Sequence, residues 1–381
     1  MALTMQLPDY DRSSLSVTAS LFRHFGGSSA YPTLPELDAR LREGGINKTV
    51  LLLTDGFGEH ILRRHLPESS FLVKNDAAAV SAVYPSTTTA ATTAIWTGAS
   101  PIEHGWLGWS LYFKECAAQL DTFIGTDDHT GVMYPSGTPA PALMPLPKMP
   151  LGIEGLESHL IFPFNTEAMS CFTHNHVCQT LEEMLSCAAS LCAKEGRRLI
   201  DIYYGQPDST MHKYGVDSPE AKEQYRQLNR AIELFASSLP EDTLLIVTAD
   251  HGLIDTTEAV HIEEIPEIDE CLWMPPSIEG RAAAFYVKGW RRVQFERAFQ
   301  KVLGEDFELY TSGKTLQMGL FGRGTPHKKA EDFMGDYIAC AKGTRYIVYK
   351  TIGGRFPDMI GHHAGLTPDE MTVPVILYRN K

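Results

Sequence analysis

The sequence contains no run of about 20 apolar residues, the length needed to cross a hydrocarbon core, so no membrane-spanning helix is expected. It has no paired cysteine spacing such as C-x-x-C. Seven cysteines are scattered singly, which fits reduced thiols better than a disulfide framework. Residues Met1–Asp9 lack the basic stretch followed by an apolar one that marks a secretory leader, so a cytoplasmic protein is expected. Basic clusters are also missing. Lys and Arg total 33 against 47 Asp and Glu, and the net charge of −14 would repel nucleic-acid phosphates. No internal repeat is visible. What remains is an ordinary globular composition, 43% hydrophobic and 21% charged, in a chain of 381 residues that can build a large core and more than one lobe.

The organising stretch is Val80–Ala94. An apolar run leads through Pro85 into Ser86-Thr87-Thr88-Thr89, and small residues that read as a helix start follow. Hydroxyls at a helix start cap free N–H groups. The same N–H groups, with the positive end of the dipole, make an anion site. A hydroxyl there becomes a nucleophile toward a bound phosphoryl group once something lowers its pKa.

Around it the pattern alternates. Lys48–Thr54 and Thr243–Thr248 are continuous apolar runs, as in strands buried on both faces, and Leu199–Tyr204 reads as a third strand. Glu59–Leu66 reads as a helix, and His176–Glu195 as an amphipathic one with Val177 on its buried face. Ser218-Pro219 opens another, with Ala221, Tyr225, Leu228, Ile232 and Phe235 buried. Strand, helix, strand, helix is the doubly wound α/β signature: a mostly parallel sheet with helices on both faces. Residues 1–45 offer one helix candidate, begun at Pro32–Leu37 and stopped by Gly44-Gly45. Residues 106–170 are weakly periodic, with six prolines between Pro135 and Pro150, and read as a loop-rich insertion. From 281 to 350 the texture becomes that of a compact inserted α+β subdomain. The expected organisation is therefore a metal-binding core of residues 1–280 and 351–381 with a cap at 281–350.

Three of the strands are followed by acids: Asp55, Asp208 and Asp250. Ligand sites in open α/β sheets lie beyond the carboxyl ends of the strands. His212, His251 and either His362 or His363 accompany them. Three carboxylates and three imidazoles make two mixed oxygen–nitrogen sites, which suit Zn²⁺ or Mn²⁺ better than Mg²⁺ or Ca²⁺. Two such cations would leave a net positive pocket for a phosphate.

These pieces resemble the alkaline phosphatase superfamily, most closely its nucleotide pyrophosphatase/phosphodiesterase branch. The matching motifs are Leu-Thr-Asp-Gly-Phe around Asp55 and Tyr-Pro-Ser-Thr-Thr-Thr through Trp-Thr-Gly around Thr88. Two more are Pro-Asp-Ser-Thr-Met-His-Lys-Tyr-Gly with Asp208 and His212, and Thr-Ala-Asp-His-Gly with Asp250 and His251. The resemblance implies one metal on Asp208, His212 and His363, and a second on Asp55, Asp250 and His251 with Thr88 coordinated. Thr88 lies ten residues before Gly98 and His363 two before Gly365, as the family pattern requires. It implies a two-metal phosphohydrolase that cleaves a phosphodiester or pyrophosphate of nucleotide type through a phospho-threonine. The partner would then be a small-molecule phosphate ester or nucleotide, not a nucleic-acid polymer or a membrane. Phosphomonoester, phosphonate and phosphotransfer chemistry, or metal and phosphate binding without catalysis, stay open. The chain departs from the branch at two positions. Thr89 stands where relatives carry a Phe that packs a nucleobase, and Trp109 stands where they carry an Asn that holds a phosphoryl oxygen. No Cys-x-Pro-x-Arg motif of the sulfatases is present.

Overall fold

The computed structural model describes residues 4–146, 153–165, 170–351 and 359–380. Its centre is a seven-stranded sheet in the order Asp76–Ser81, Thr372–Arg379, Thr243–Thr248, Lys48–Thr54, Arg197–Tyr204, Leu156–Phe162, His174–Val177. Lys48–Thr54 is the middle strand, parallel to both neighbours and buried at every residue. That burial explains its unbroken apolar run. Only Thr372–Arg379 runs against its partners, so the sheet is mostly parallel, as expected. The helix Pro219–Ser238 covers it with Ala221, Tyr225, Leu228, Ile232 and Phe235, all buried.

Three local expectations are corrected. A helix at Ser14–His24 precedes the expected one, which spans Pro35–Leu41. Eight consecutive residues of the first are buried, Ser14 through Leu21, so it has no polar face to announce it. The helix expected from His176 is Leu181–Cys192, opened by Thr180 and Glu183 bonding reciprocally. His174–Val177 is instead an edge strand, and Val177 is 57% exposed. The expected insertion at 106–170 also contributes Leu156–Phe162, an interior strand of the main sheet.

A second, six-stranded sheet is antiparallel throughout: Phe307–Thr311, Tyr337–Ala341, Ala282–Phe285, Ser277–Glu279, Ser110–Phe113, Ala118–Asp121. It draws on both regions that the sequence set apart and begins before residue 281. Helix Arg292–Leu303 lays Phe295 and Phe299 on Phe285 beneath it. The buried pair Arg281 and Glu370 joins this sheet to the main one. The guanidinium meets both carboxylate oxygens, Nε at 2.7 Å and Nη2 at 2.8 Å, while Nη1 donates to the carbonyl of Arg345 and Nη2 also to that of Gly343. Among the described residues no helix is long and apolar enough to cross a membrane.

Candidate metal centre at the carboxyl ends of the strands

The chain turns sharply after each central strand, and those turns place the acids. Asp55 follows Thr54, Asp250 lies two residues beyond Thr248, and Asp208 opens the helix Asp208–Tyr214 that follows Arg197–Tyr204. Gly56 makes the first turn possible. Its φ is +70°, and a Cβ there would lie 2.5 Å from Leu253 and 2.9 Å from the Cβ of Asp208. Its N–H donates to Asp250 Oδ1 at 3.1 Å, which ties two of the acids to one backbone.

All three acids are buried, and Asp55 Oδ1, Asp208 Oδ1 and Asp250 Oδ2 have no hydrogen-bond partner. Burial, then the charges of Asp250 and Asp208, pushes the Asp55 carboxyl well above its ordinary pKa. Burial also raises Asp250, although His251 opposes it. The Tyr203 hydroxyl donates to Asp55 Oδ2.

The histidines are oriented from behind. His212 Nδ1 faces the carbonyl of Gly361 at 2.7 Å, His251 Nδ1 that of Gly252 at 3.1 Å, and His363 Nδ1 that of Ser86 at 3.0 Å. A carbonyl only accepts, so each Nδ1 carries the proton, and each Nε2 turns toward the acids. His212 Nε2 stands 3.1 Å from Asp208 Oδ2, and His363 Nε2 4.0 Å from Asp208 Oδ1. His251 Nε2 is 3.3 Å from Asp55 Oδ1 and 3.6 Å from Asp250 Oδ2. Two ligands at about 2.0–2.1 Å from one tetrahedral ion stand about 3.3 Å apart, close to these separations. Two sets of converging ligand atoms result: Asp55, Asp250 and His251, and Asp208, His251 and His363. His251 belongs to both, its ring stacked 3.8 Å from that of His363. His212 joins the second set through Asp208; burial alone would lower His212, but the charge and hydrogen bond of Asp208, with the Gly361 carbonyl, together lift it to about 9. The orphaned oxygens and the inward Nε2 atoms fit divalent cations.

His362 turns away. Its Nδ1 meets Thr256 Oγ1 at 2.8 Å and its ring stacks 3.9 Å from Tyr346. His363→Ala should therefore lower bound metal to about half, whereas His362→Ala should leave it near the wild-type level. Elemental analysis of the two variants reads this directly.

Thr88 is the first residue of the helix Thr88–Thr97, 5% exposed, with Oγ1 3.4 Å from both Asp55 Oδ2 and His251 Nε2. The expected hydroxyl cap is corrected. Thr87 occupies the cap position but makes no side-chain cap; its hydroxyl donates instead to Glu279 Oε1 at 2.5 Å. The Trp109 N–H donates to the same oxygen at 3.0 Å. Burial pushes Glu279 up to about 7, although these two donors pull it down. Thr89 is wholly buried, while Trp109 is 38% exposed with its ring edge-on to Phe123 at 6.0 Å.

The structure thus brings Asp55, Thr88, Asp208, His212, Asp250, His251 and His363 to one place. Sequence reasoning missed Tyr203 and Glu279. Tyr203 sits in an apolar strand run and reads as core. Glu279 lies on a short strand 170 residues from Trp109 and carries no local motif.

The family model described as type I phosphodiesterase/nucleotide pyrophosphatase matches residues 49–135 and 161–364. Human ectonucleotide pyrophosphatase/phosphodiesterase family member 7 is 40% identical over 65 residues, a match spanning 16% of this chain and only 14% of that protein. Murine ectonucleotide pyrophosphatase/phosphodiesterase 5 superposes with a TM-score of 0.63 at 16% identity, covering 87% of this chain and 88% of the other. Phosphonoacetate hydrolase of Sinorhizobium meliloti, solved with phosphonoformate, superposes at 0.61 with 15% identity over 87% and 89%. These two share the mixed α/β architecture built on a mostly parallel sheet. With the family model spanning most of its length, the chain belongs to the type I phosphodiesterase/nucleotide pyrophosphatase family.

Proposed function

We propose that the protein is a two-metal phosphohydrolase, with Thr88 as nucleophile and a phosphodiester or pyrophosphate as substrate. The single observation that carries this reading is the set of Nε2 atoms facing carboxylate oxygens. A proton or a metal ion must lie between each such pair, and a divalent ion satisfies three converging ligand atoms at once, as in the two sets Asp55, Asp250, His251 and Asp208, His251, His363. Family membership supports hydrolysis of this class. One solved neighbour, an inactive form of the murine protein 5, was obtained in complex with AMP, which suits a small phosphate ester as partner.

When bound, divalent ions supply Lewis acidity toward the phosphoryl group and lower the pKa of an adjoining hydroxyl; the donor set favours Zn²⁺, with Mn²⁺ next. The chain's own residues do the rest. Asp55 Oδ2 accepts the Thr88 hydroxyl hydrogen and turns an oxygen lone pair toward the open face. Tyr203 holds that carboxylate in place. The first N–H groups of helix Thr88–Thr97, left without a side-chain cap, point their dipoles at the equatorial oxygens. Attack forms a bond from Thr88 Oγ1 to phosphorus and expels one ester oxygen. Water then breaks that bond and restores the hydroxyl.

Chelation tests the metals. A strong chelator should abolish release of nitrophenol from bis(p-nitrophenyl) phosphate, and added Zn²⁺ or Mn²⁺ should restore it. Thermal stability should fall as well, by more at high pH. Asp55 and Asp250 have raised pKa values in the metal-free fold, so that fold favours their protonated forms. Their contribution to stability is therefore lost as pH rises above the ordinary carboxylate range, while metal ligation requires them ionised. Asp208, held low by His212 despite burial, titrates below this window. The gap in Tm between loaded and chelated protein should widen from about pH 5 to about pH 8. Turnover and Tm untouched by chelator would sink the reading.

A further inference from the structure

Three imidazoles meet at the outer edge of the main sheet, none of them among the residues gathered around Thr88. His159 lies on Leu156–Phe162, and His174 and His176 lie on the edge strand His174–Val177. The register sets His159 beside His174 and Ile161 beside His176, so the three side chains leave one face of the sheet. Residues two apart on a strand stand about 6.6 Å apart on that face, a span that two imidazoles can close on one ion. The ring of His159 is 4.7 Å from that of His174 and 5.4 Å from that of His176.

His159 is the buried anchor, its side chain 6% exposed. Its Nδ1 stands 3.1 Å from His176 Nε2. Its Nε2 faces Glu157 Oε2 at 3.5 Å without making a hydrogen bond, and Arg198 holds that carboxylate at 2.9 Å. A carboxylate behind one ring nitrogen favours the proton there and leaves the lone pair on the other, the arrangement that orients metal-ligating imidazoles. The lone pair of Nδ1 then points at His176, at nearly the separation of about 3.3 Å between two nitrogens on one tetrahedral ion. Burial, then the charges of His174 and His176, pushes His159 down to about 4, although Glu157 opposes this. Burial, His174 and Lys194 lower His176 as well. Both rings are therefore neutral near pH 7, the form that ligates. His174 is exposed, and rotation of its side chain brings a nitrogen to the pair.

We infer that His159, His174 and His176 form a further site for a divalent transition ion such as Zn²⁺, Ni²⁺ or Cu²⁺, separate from the cluster at the strand ends. Imidazole ligands without a coordinating carboxylate select these ions over Mg²⁺ and Ca²⁺. A bound ion fastens the short edge strand to its one neighbour in the sheet through side chains as well as backbone.

Equilibrium dialysis of the chelator-treated whole chain against micromolar Ni²⁺, followed by elemental analysis, tests this. The variant combining His174→Gln and His176→Gln should hold one equivalent less than wild type, whatever number the other cluster binds. His174→Gln alone, at an exposed position and so without cost to the core, should weaken that equivalent, and Glu157→Gln should weaken it about tenfold by removing the carboxylate behind His159. The deficit of the double variant should persist in a His363→Ala background, because the two sites share no residue. Equal nickel content in wild type and double variant overturns the inference and leaves the phosphohydrolase reading untouched.

Discussion

Replacing Thr88 by Ala is expected to lower kcat toward a phosphodiester by at least about 1,000-fold, with the protein folded and its metal content close to wild type. The asymmetry follows from the geometry. In the proposed site three carboxylates and three imidazoles would hold the cations, and Thr88 Oγ1 only touches the edge of that set, 3.4 Å from Asp55 and from His251. Its Cβ and backbone stay in place in Ala, in a helix whose propensity improves. Thr88→Ser keeps the oxygen and should retain measurable turnover. Trapping the wild-type enzyme by acid quench during turnover should yield phosphate on Thr88, and none on the Ala variant. Turnover of Thr88→Ala near the wild-type rate would show that the neighbouring hydroxyls or water attack directly.

The largest effect on stability should come from Glu370→Ala, a loss of about 3–5 kcal/mol, because it strands the Arg281 guanidinium where no water reaches. Glu370 also accepts from the Gly365 N–H at 2.8 Å and the Thr367 hydroxyl at 2.6 Å. Gly365 in turn receives the Ser86 hydroxyl at 3.0 Å on its carbonyl. The variant therefore loosens the loop that carries His363 as well as the joint between the sheets. Urea unfolding measures the loss. Arg281→Met combined with Glu370→Leu should recover a good part of it, since paired removal leaves no lone charge. A single variant as stable as wild type would show that water enters the joint.

The converging Asp and His cluster is legible in the sequence because its signals are local. A buried central strand needs an unbroken apolar run, so the first acid after it stands out, as Asp55 and Asp250 do. The resemblance then chose Thr88 among four hydroxyls and His363 over His362, and both face the cluster. What escaped has non-local causes. Helix Ser14–His24 carries only small hydroxyl and apolar side chains from Ser14 to Leu21, all buried, so no charged outer face marks it. Leu156–Phe162 follows a proline-rich stretch that hides its strand pattern. His174–Val177 is too short to show strand alternation, and its last residues run on into the helical pattern after it. Glu279 takes its meaning only from contacts with Thr87 and Trp109, which the fold makes and the sequence does not display.

The six-stranded sheet is woven from separated parts of the chain: Ile278 pairs with Ser110, and Ala118–Asp121 has no other partner strand in it. It is therefore not a cassette. Transplanting 277–341 from a relative would leave the native hairpin at 110–121 seeking a foreign edge, with unmatched backbone donors and a shifted Trp109. Divergence of specificity in such a protein must proceed by coordinated change at both ends of the weave, or by single side chains that point into the site. Swapping whole modules would disturb the turn that carries Thr88 before it altered what the protein accepts.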